Sequence, residues 1–304
     1  LADSIATPTS TKKIKKLTRK ILKSQDDWFE WEASERKQLN QYEAQHMFSK
    51  PMPIPPGANC LPFIWTYIIK TCGTKKARGV CNGSPQMKGT VTMGETYAAS
   101  LNHVSSRIFW ALTAIHNNIV IGADASNAFA EAPAPTAPLY MSLDQQFHSW
   151  WRSKGRQDTP PKYGVKVFKA LQGHPEYPRL WATLVNKIIM DLGFKPCHHE
   201  PCLYTNQSYN GNLVYFLRQV DDFAVSSPSI DISESVIAAI NSKLSIQIKS
   251  LGTINRFNGV DIDQTENYIK VYNRRYIEKI LRDKNWLEAD IPNNKYSAYI
   301  PMHH

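Results

Sequence analysis

The sequence predicts an α+β fold in which an antiparallel sheet is backed by helices. Three observations lead there. From about residue 97 onward the periodicity runs helix, strand, helix, hairpin, helix, strand. No glycine-rich phosphate loop opens a helix after a strand, as a doubly wound parallel sheet would have it. With 304 residues, 42% of them hydrophobic and 20% charged, the chain can bury a large core without staples.

The elements follow in order. Residues 1–25 hold seven Lys and Arg against Asp3 alone, in a chain of formal net charge +10. Such a segment is a solvated helix start, a nucleic-acid contact or an import signal, and charge alone does not choose. Trp28, Trp31, Leu39 and Tyr42 recur near helical spacing and predict an amphipathic helix over 26–47. Pro51, Pro53, Pro55, Pro56 and Gly57 end it. Strand formers over 62–70, a turn at Gly73 and a short strand over 77–81 predict a hairpin. Leu101, Val104, Ile108, Leu112 and Ile115 form a stripe that predicts a helix over 97–116. A buried strand over 118–124 then ends on Asp124. Pro178 opens a helix that carries Leu180, Trp181, Leu184, Ile188 and Leu192 and stops at Gly193. A strand over 202–206, a hairpin over 212–227 and a helix over 231–244 follow. Strands over 246–250, 256–263 and 267–272 precede a last helix near 274–285.

No apolar run approaches the roughly 20 residues that cross a bilayer, and no signal-peptide pattern opens the chain. Five unevenly spaced cysteines fit a reduced interior better than a disulfide framework. The chain is therefore expected inside the cell, without a membrane, and as a piece of something longer. Cys197-His-His-Glu-Pro-Cys202 has no second Cys or His pair at finger-like spacing, so it reads as a connection into the 202–206 strand and not as a zinc site.

Acid meets apolar strand in two places. The 213–226 hairpin has no Asn-Gly, Asp-Gly or Gly-Gly at its turn, which falls on or near Gln219-Val220-Asp221-Asp222. Taken alone, the acidic pair simply caps a turn, and Asp124 is a helix N-cap. Together they say more, because strand-end carboxylates about a hundred residues apart converge if their strands are neighbours. Three clustered carboxylates repel unless cations neutralise them. Magnesium suits an all-oxygen site, and two such ions stabilise attacking and leaving oxygens in phosphoryl-type displacement.

From residue 26 to 285 the sequence resembles the reverse transcriptase domain of copia-type LTR retrotransposons. Ile64-Trp-Thr-Tyr-Ile-Ile-Lys70 with Lys76-Ala-Arg78 resembles the family's Trp-x-Phe-Lys … Lys-Ala-Arg segment, and Glu95-Thr-Tyr-Ala its Glu-Thr-Phe-Ser. Ala123-Asp-Ala-Ser-Asn-Ala-Phe129 is similar to its Met-Asp-Val-Lys-Thr-Ala-Phe. Lys169-Ala-Leu-Gln-Gly-His-Pro-Glu-Tyr-Pro-Arg-Leu-Trp181 resembles Lys-x-Leu-Tyr-Gly-Leu-Lys-Gln-x-Pro-Arg-x-Trp. Leu192-Gly-Phe-Lys and Glu200-Pro-Cys-Leu-Tyr204 come next in the expected order. Val220-Asp-Asp222 stands for the Tyr-Val-Asp-Asp box, and Leu251–Gly259 for the primer-grip stretch Leu-Gly-x-x-x-x-Phe-Leu-Gly.

The resemblance implies a right-hand polymerase: a basic tail over 1–25, fingers over 26–95 and 130–172, a palm over 96–129 and 173–265, and the start of a thumb over 266–304. It implies RNA-templated addition of dNTPs to a DNA or RNA primer. Asp124, Asp221 and Asp222 would hold two Mg²⁺ ions, or Mn²⁺. Arg78 would grip the triphosphate with Lys70, or with Lys75 or Lys76 if the register shifts. Ala125 and Gln172 would touch the nucleotide, Phe129 would exclude a ribose 2′-hydroxyl, and Phe257, Asn258 and Gly259 would hold the primer. Gly259 is otherwise a strand bulge. Integrase and RNase H parts of one polyprotein would be partners, and a cytoplasmic virus-like particle and the nucleus its compartments. Gln219 in place of Tyr and Glu176 in place of Gln depart from the family and bear on template or nucleotide contacts. A silent nucleic-acid-binding relic would have lost one of the three aspartates. A cyclase-like palm enzyme would lack the fingers segments.

Overall fold

The computed structural model describes residues 17–70, 73–84, 96–125 and 131–283. Along the chain these form α1 (Arg19–Leu22), α2 (Trp28–Ala44), β1 (Met52–Pro53), β2 (Asn59–Ile69), β3 (Lys75–Cys81), α3 (His103–Ile115) and β4 (Ile119–Asp124). Next come β5 (Leu139–Ser142), α4 (Gln145–Ser153), β6 (Tyr163–Lys166), α5 (Tyr177–Asp191), β7 (Lys195–Cys197), β8 (Glu200–Tyr209), β9 (Asn212–Gln219) and β10 (Asp222–Ser227). The last are α6 (Ile230–Asn241), β11 (Lys249–Thr253), β12 (Arg256–Phe257), β13 (Val260–Gln264), β14 (Ile269–Tyr272) and α7 (Arg274–Asp283). The class is α+β, as the element order predicts. No helix among the described residues is long and apolar enough to cross a membrane. The chain divides into two units: residues 1–99, 127–188 and 244–246, and residues 100–126, 189–243 and 247–304.

In the first unit the sheet order is β1-β6-β5-β2-β3, antiparallel except where β2 runs parallel to β5. The β2–β5 pair has no local signature in the sequence, because a parallel partner is set by distant residues, whereas helix α4, absent from the expected elements, carries one in its Asp144 cap and its buried Phe147 and Trp150. Leu39, Leu61, Met141, Phe147, Trp150, Val165 and Leu171 build its core. A second cluster joins Leu22 to Trp31, Tyr67 and Ala77. The basic segment expected to be a tail is thus, from residue 17, built into this unit. Thr18 caps α1 by accepting from Ile21 N, and Arg19 reaches the fully buried Glu35 with two hydrogen bonds of 3.0 and 3.1 Å. The Tyr67 hydroxyl donates to the same carboxylate at 2.5 Å, and Arg19 also donates to Gln146 at 2.6 Å.

The end of β3 and the 172–173 loop meet backbone to backbone. Cys81 N donates to Gln172 O at 2.9 Å, and a Cβ on Gly173, whose φ is +94°, would lie 2.1 Å from Cys81 O. Gly173→Ala is therefore expected to destabilise by about 2–4 kcal/mol, since both the left-handed backbone and the contact exclude a side chain. Urea unfolding checks it, and a loss under 0.5 kcal/mol would contradict the close approach.

The second unit holds a six-stranded antiparallel sheet of order β11-β4-β10-β9-β8-β7 and a three-stranded sheet β12-β13-β14. Helix α6 lies against β4, β10 and β11, and α3 against β8 and β9. The expected helix over 97–116 forms from His103, where Asn102 caps it, but it buries Phe109, Trp110 and Thr113. Val104, Ile108 and Ile115 of the predicted stripe are 62%, 47% and 71% exposed. Periodicity specifies the helix, and the fit of the two largest rings to the sheet decides which side turns inward. The strand expected over 246–250 is displaced to Lys249–Thr253. The single strand expected over 256–263 is two, split by a turn at Asn258-Gly259. That dipeptide is a strong hairpin signal that the strand pattern masked.

Candidate active site

The strands β4 and β10 are antiparallel neighbours, and their register sets Asp124 directly opposite Asp222. Directly opposed residues project from one face of a sheet, so the two carboxylates share a face at the strand ends. The hairpin that carries the second acid turns in two residues, Val220 and Asp221, between the paired Gln219 and Asp222. Val220 takes a φ of +53°, a left-handed conformation that a β-branched residue rarely adopts. The surroundings hold it there. Ala125 N donates to Asp221 O at 2.9 Å, and the Gln219 side chain accepts from Leu101 N at 2.9 Å. Gln219, singled out for replacing a Tyr, therefore braces the turn against the lead-in to α3. Val220→Asn is expected to raise stability by about 1 kcal/mol, because Asn tolerates this backbone. A melting temperature unchanged or lowered would argue that the turn stores no strain.

Burial first, and Asp124 second, push the Asp222 carboxyl above its ordinary value, although the residue's outer surface is open. Sequence reasoning missed a third member of the row. Lys249 of β11 is opposite Asp124 on the other side of β4, a placement that only strand register reveals. Asp221 is adjacent to Asp222 but occupies the turn, where the alternation that puts Asp124 and Asp222 on one face no longer applies. Among the described residues no three His, Cys, Asp or Glu side chains form a ligand group. The Asp124–Asp222 pair is an all-oxygen donor set, which fits a hard divalent cation such as Mg²⁺ or Mn²⁺.

A cavity of about 230 Å³ opens beside the pair, lined by Asp222, Gly122, Leu251, Ile254 and the 256–259 segment. Phe257 is buried, with its ring edge-on to Trp110 at 6.5 Å, and fixes the base of the turn. Asn258 and Gly259 have φ of +47° and +80°, both positive as in a type I′ hairpin. Gly259 is thus a turn residue and not a bulge. The structure brings Phe257, Asn258 and Gly259 to the same cavity as Asp222.

Lys70, Arg78 and Gln172 belong to the first unit. Register pairs Arg78 with Thr66 and Lys76 with Ile68, so both cations share the more open face of the hairpin with Ile64 and Ile68. Lys75 is on the opposite face, where it pairs with Asp27 and Glu30 of the α2 region. That engagement removes it from the candidates for a triphosphate contact. Lys70 is exposed where the loop closes, its N–H donating to Thr74 O at 2.9 Å. The Gln172 side chain is half-buried. Glu176 is buried and accepts from Thr136 at 2.7 Å and from Arg179 at 3.1 Å, which makes it an internal brace. Phe129 lies outside the described residues, and Ala125 is buried next to the acidic pair's strand end. The 197–202 segment is the tight hairpin from the end of β7 through His198-His199 into β8, with Cys197 exposed and Cys202 buried.

A family model described as reverse transcriptase (RNA-dependent DNA polymerase) matches residues 50–304. The retrovirus-related Pol polyprotein from transposon RE2 of Arabidopsis thaliana is 23% identical over 264 residues, covering 85% of this chain and 17% of that protein. The Pol polyprotein from transposon RE1 of the same plant is 23% identical over 280 residues, covering 88% and 18%. The chain thus spans less than a fifth of the length of these curated relatives. The solved foamy viral protease-reverse transcriptase in complex with dsDNA superposes at a TM-score of 0.46 with 16% identity, over 86% of this chain and 48% of that one.

Proposed function

The chain belongs to the reverse transcriptase family, and from that premise we propose that it adds deoxynucleotides to a primer 3′-OH on an RNA template, as one part of a retrotransposon Pol polyprotein. The observation that carries the reading is the opposition of Asp124 and Asp222 at the ends of neighbouring strands, beside the cavity shared with Phe257, Asn258 and Gly259. Asp124, Asp221 and Asp222 would hold two Mg²⁺ ions, or Mn²⁺, which when bound neutralise charge on the reacting oxygens.

The chain's own residues do the rest by position. Residues 26–95 and 130–172 would be the fingers, 96–129 and 173–265 the palm, and 266–304 the start of a thumb. Arg78 presents a planar, permanently charged fork suited to phosphate oxygens, with Lys70 or Lys76 as a second cation. The rigid two-residue turn keeps Asp221 and Asp222 from drifting as charge develops. Ala125, Phe129 and Gln172 would bound the nucleotide, Phe129 excluding a 2′-hydroxyl. Asn258 and Gly259 offer backbone at the primer side of the cavity. Integrase and RNase H parts of the polyprotein would be partners, in a cytoplasmic particle and the nucleus.

Primer extension tests this. The 304-residue chain, given an RNA template, a DNA primer, dNTPs and Mg²⁺, is expected to extend the primer, and Asp221→Asn to stop it. Equal extension by that variant would remove Asp221 from the chemistry, and no extension by the wild-type chain would favour a chain that binds nucleic acid without catalysis.

A further inference from the structure

The edge strand β11 sets one cation against the acidic pair. Lys249 is directly opposite Asp124, which is directly opposite Asp222, so a row of charges, plus, minus, minus, crosses three strands on one face. The backbone on both sides of Lys249 is fixed by α6. The Asn241 side chain accepts from Ile248 N at 2.7 Å and donates to Ile248 O at 3.0 Å. Ser250 Oγ donates to Glu234 at 2.6 Å, and the strand bulges immediately afterwards, between Ser250 and Gly252. The Lys249 side chain is exposed and makes no hydrogen bond or ion pair among the described residues.

We propose that Lys249 is a positioning cation for the Asp124–Asp222 pair, which offsets their repulsion when no divalent ion is bound and lowers the affinity of the pair for that ion. This rests on the reading of the pair as a divalent-cation site. A positive charge about one cross-strand spacing from Asp124 opposes entry of a second positive charge, and the same charge stabilises the pair while it is empty. The outcome is a site that binds its ion weakly enough to exchange it.

Calorimetric titration of the full chain with Mn²⁺ at low salt tests the proposal without any turnover. Lys249→Met is expected to bind Mn²⁺ about three- to tenfold more tightly than wild type and to melt lower in chelator, with the difference shrinking at 1 M salt. Lys249→Arg, which keeps the charge, is expected to bind within about twofold of wild type. A folded Lys249→Met with unchanged or weaker affinity overturns the role, as does a Lys249→Arg that binds as tightly as a neutral variant. Should the Met variant fail to fold, Lys249→Gln and the arginine variant carry the same comparison. Wild type that binds no Mn²⁺ at all removes the cation-site reading and the proposal with it.

Discussion

Asp221→Asn and Asp124→Asn are each expected to lower primer extension by about three orders of magnitude or more while the chain stays folded. The amide keeps the size and planarity of the carboxylate and removes the negative charge that attracts and holds a divalent ion. Asp222→Asn adds a signature that a purely structural residue would not produce. Burial and Asp124 raise the folded-state value of Asp222 above its ordinary 3.8, so the folded chain holds this proton more tightly than the unfolded chain does. Its contribution to stability is present at low pH and is lost as pH rises from near 3.8 through the raised value. In chelating buffer at pH 7 Asp222→Asn is therefore expected to raise the melting temperature by about 1–3 °C and to lower activity. Loss of activity with an equal loss of stability in all three variants would point to damage of the sheet and not to a site that stores repulsion.

Arg19→Ala is expected to cost about 3–5 kcal/mol and roughly 6–20 °C in melting temperature. Arg19 holds Glu35, which has no solvent exposure, and also bonds Gln146. Removing it leaves a buried carboxylate with Tyr67 as its remaining partner. Burial already pushes Glu35 up, against the bonds from Arg19 and Tyr67 that pull it down. Without Arg19 the folded value climbs further above the unfolded one, so stability is retained at low pH and lost as pH rises. The deficit is then smaller at pH 5 than at pH 8. Adding Glu35→Gln to Arg19→Ala removes the charge, keeps an acceptor for Tyr67 and should recover at least half of the loss. A single variant that melts within 2 °C of wild type at pH 8 would show that the N-terminal segment is a tail after all.

That second expectation shows where sequence reasoning stopped. Seven cations in 25 residues look like a solvated segment, and nothing local says that Arg19 finds Glu35 sixteen residues on, or that Leu22 enters the core beside Tyr67. The stripe through Val104, Ile108 and Ile115 located α3 correctly and named the wrong face, because Phe109 and Trp110 fill the space over β8 and β9 better. The turn at 219–222 was legible for the opposite reason. Strong apolar strands flank it, and the lack of glycine at a tight turn marks it as unusual, which the left-handed Val220 explains.

Local pattern by itself determined the α+β class, most helices and strands, the acidic turn and the family likeness, since each depends on residues close in the chain. Only the tertiary structure decided that Asp124 is opposite both Asp222 and Lys249, that the Asn258-Gly259 turn shares a cavity with Asp222, and that Lys75 is committed to the α2 region. Those facts are matters of strand register. A shift of one residue would move every one of these side chains to the other face, and register is set by the packing of whole strands, not by any short stretch of sequence.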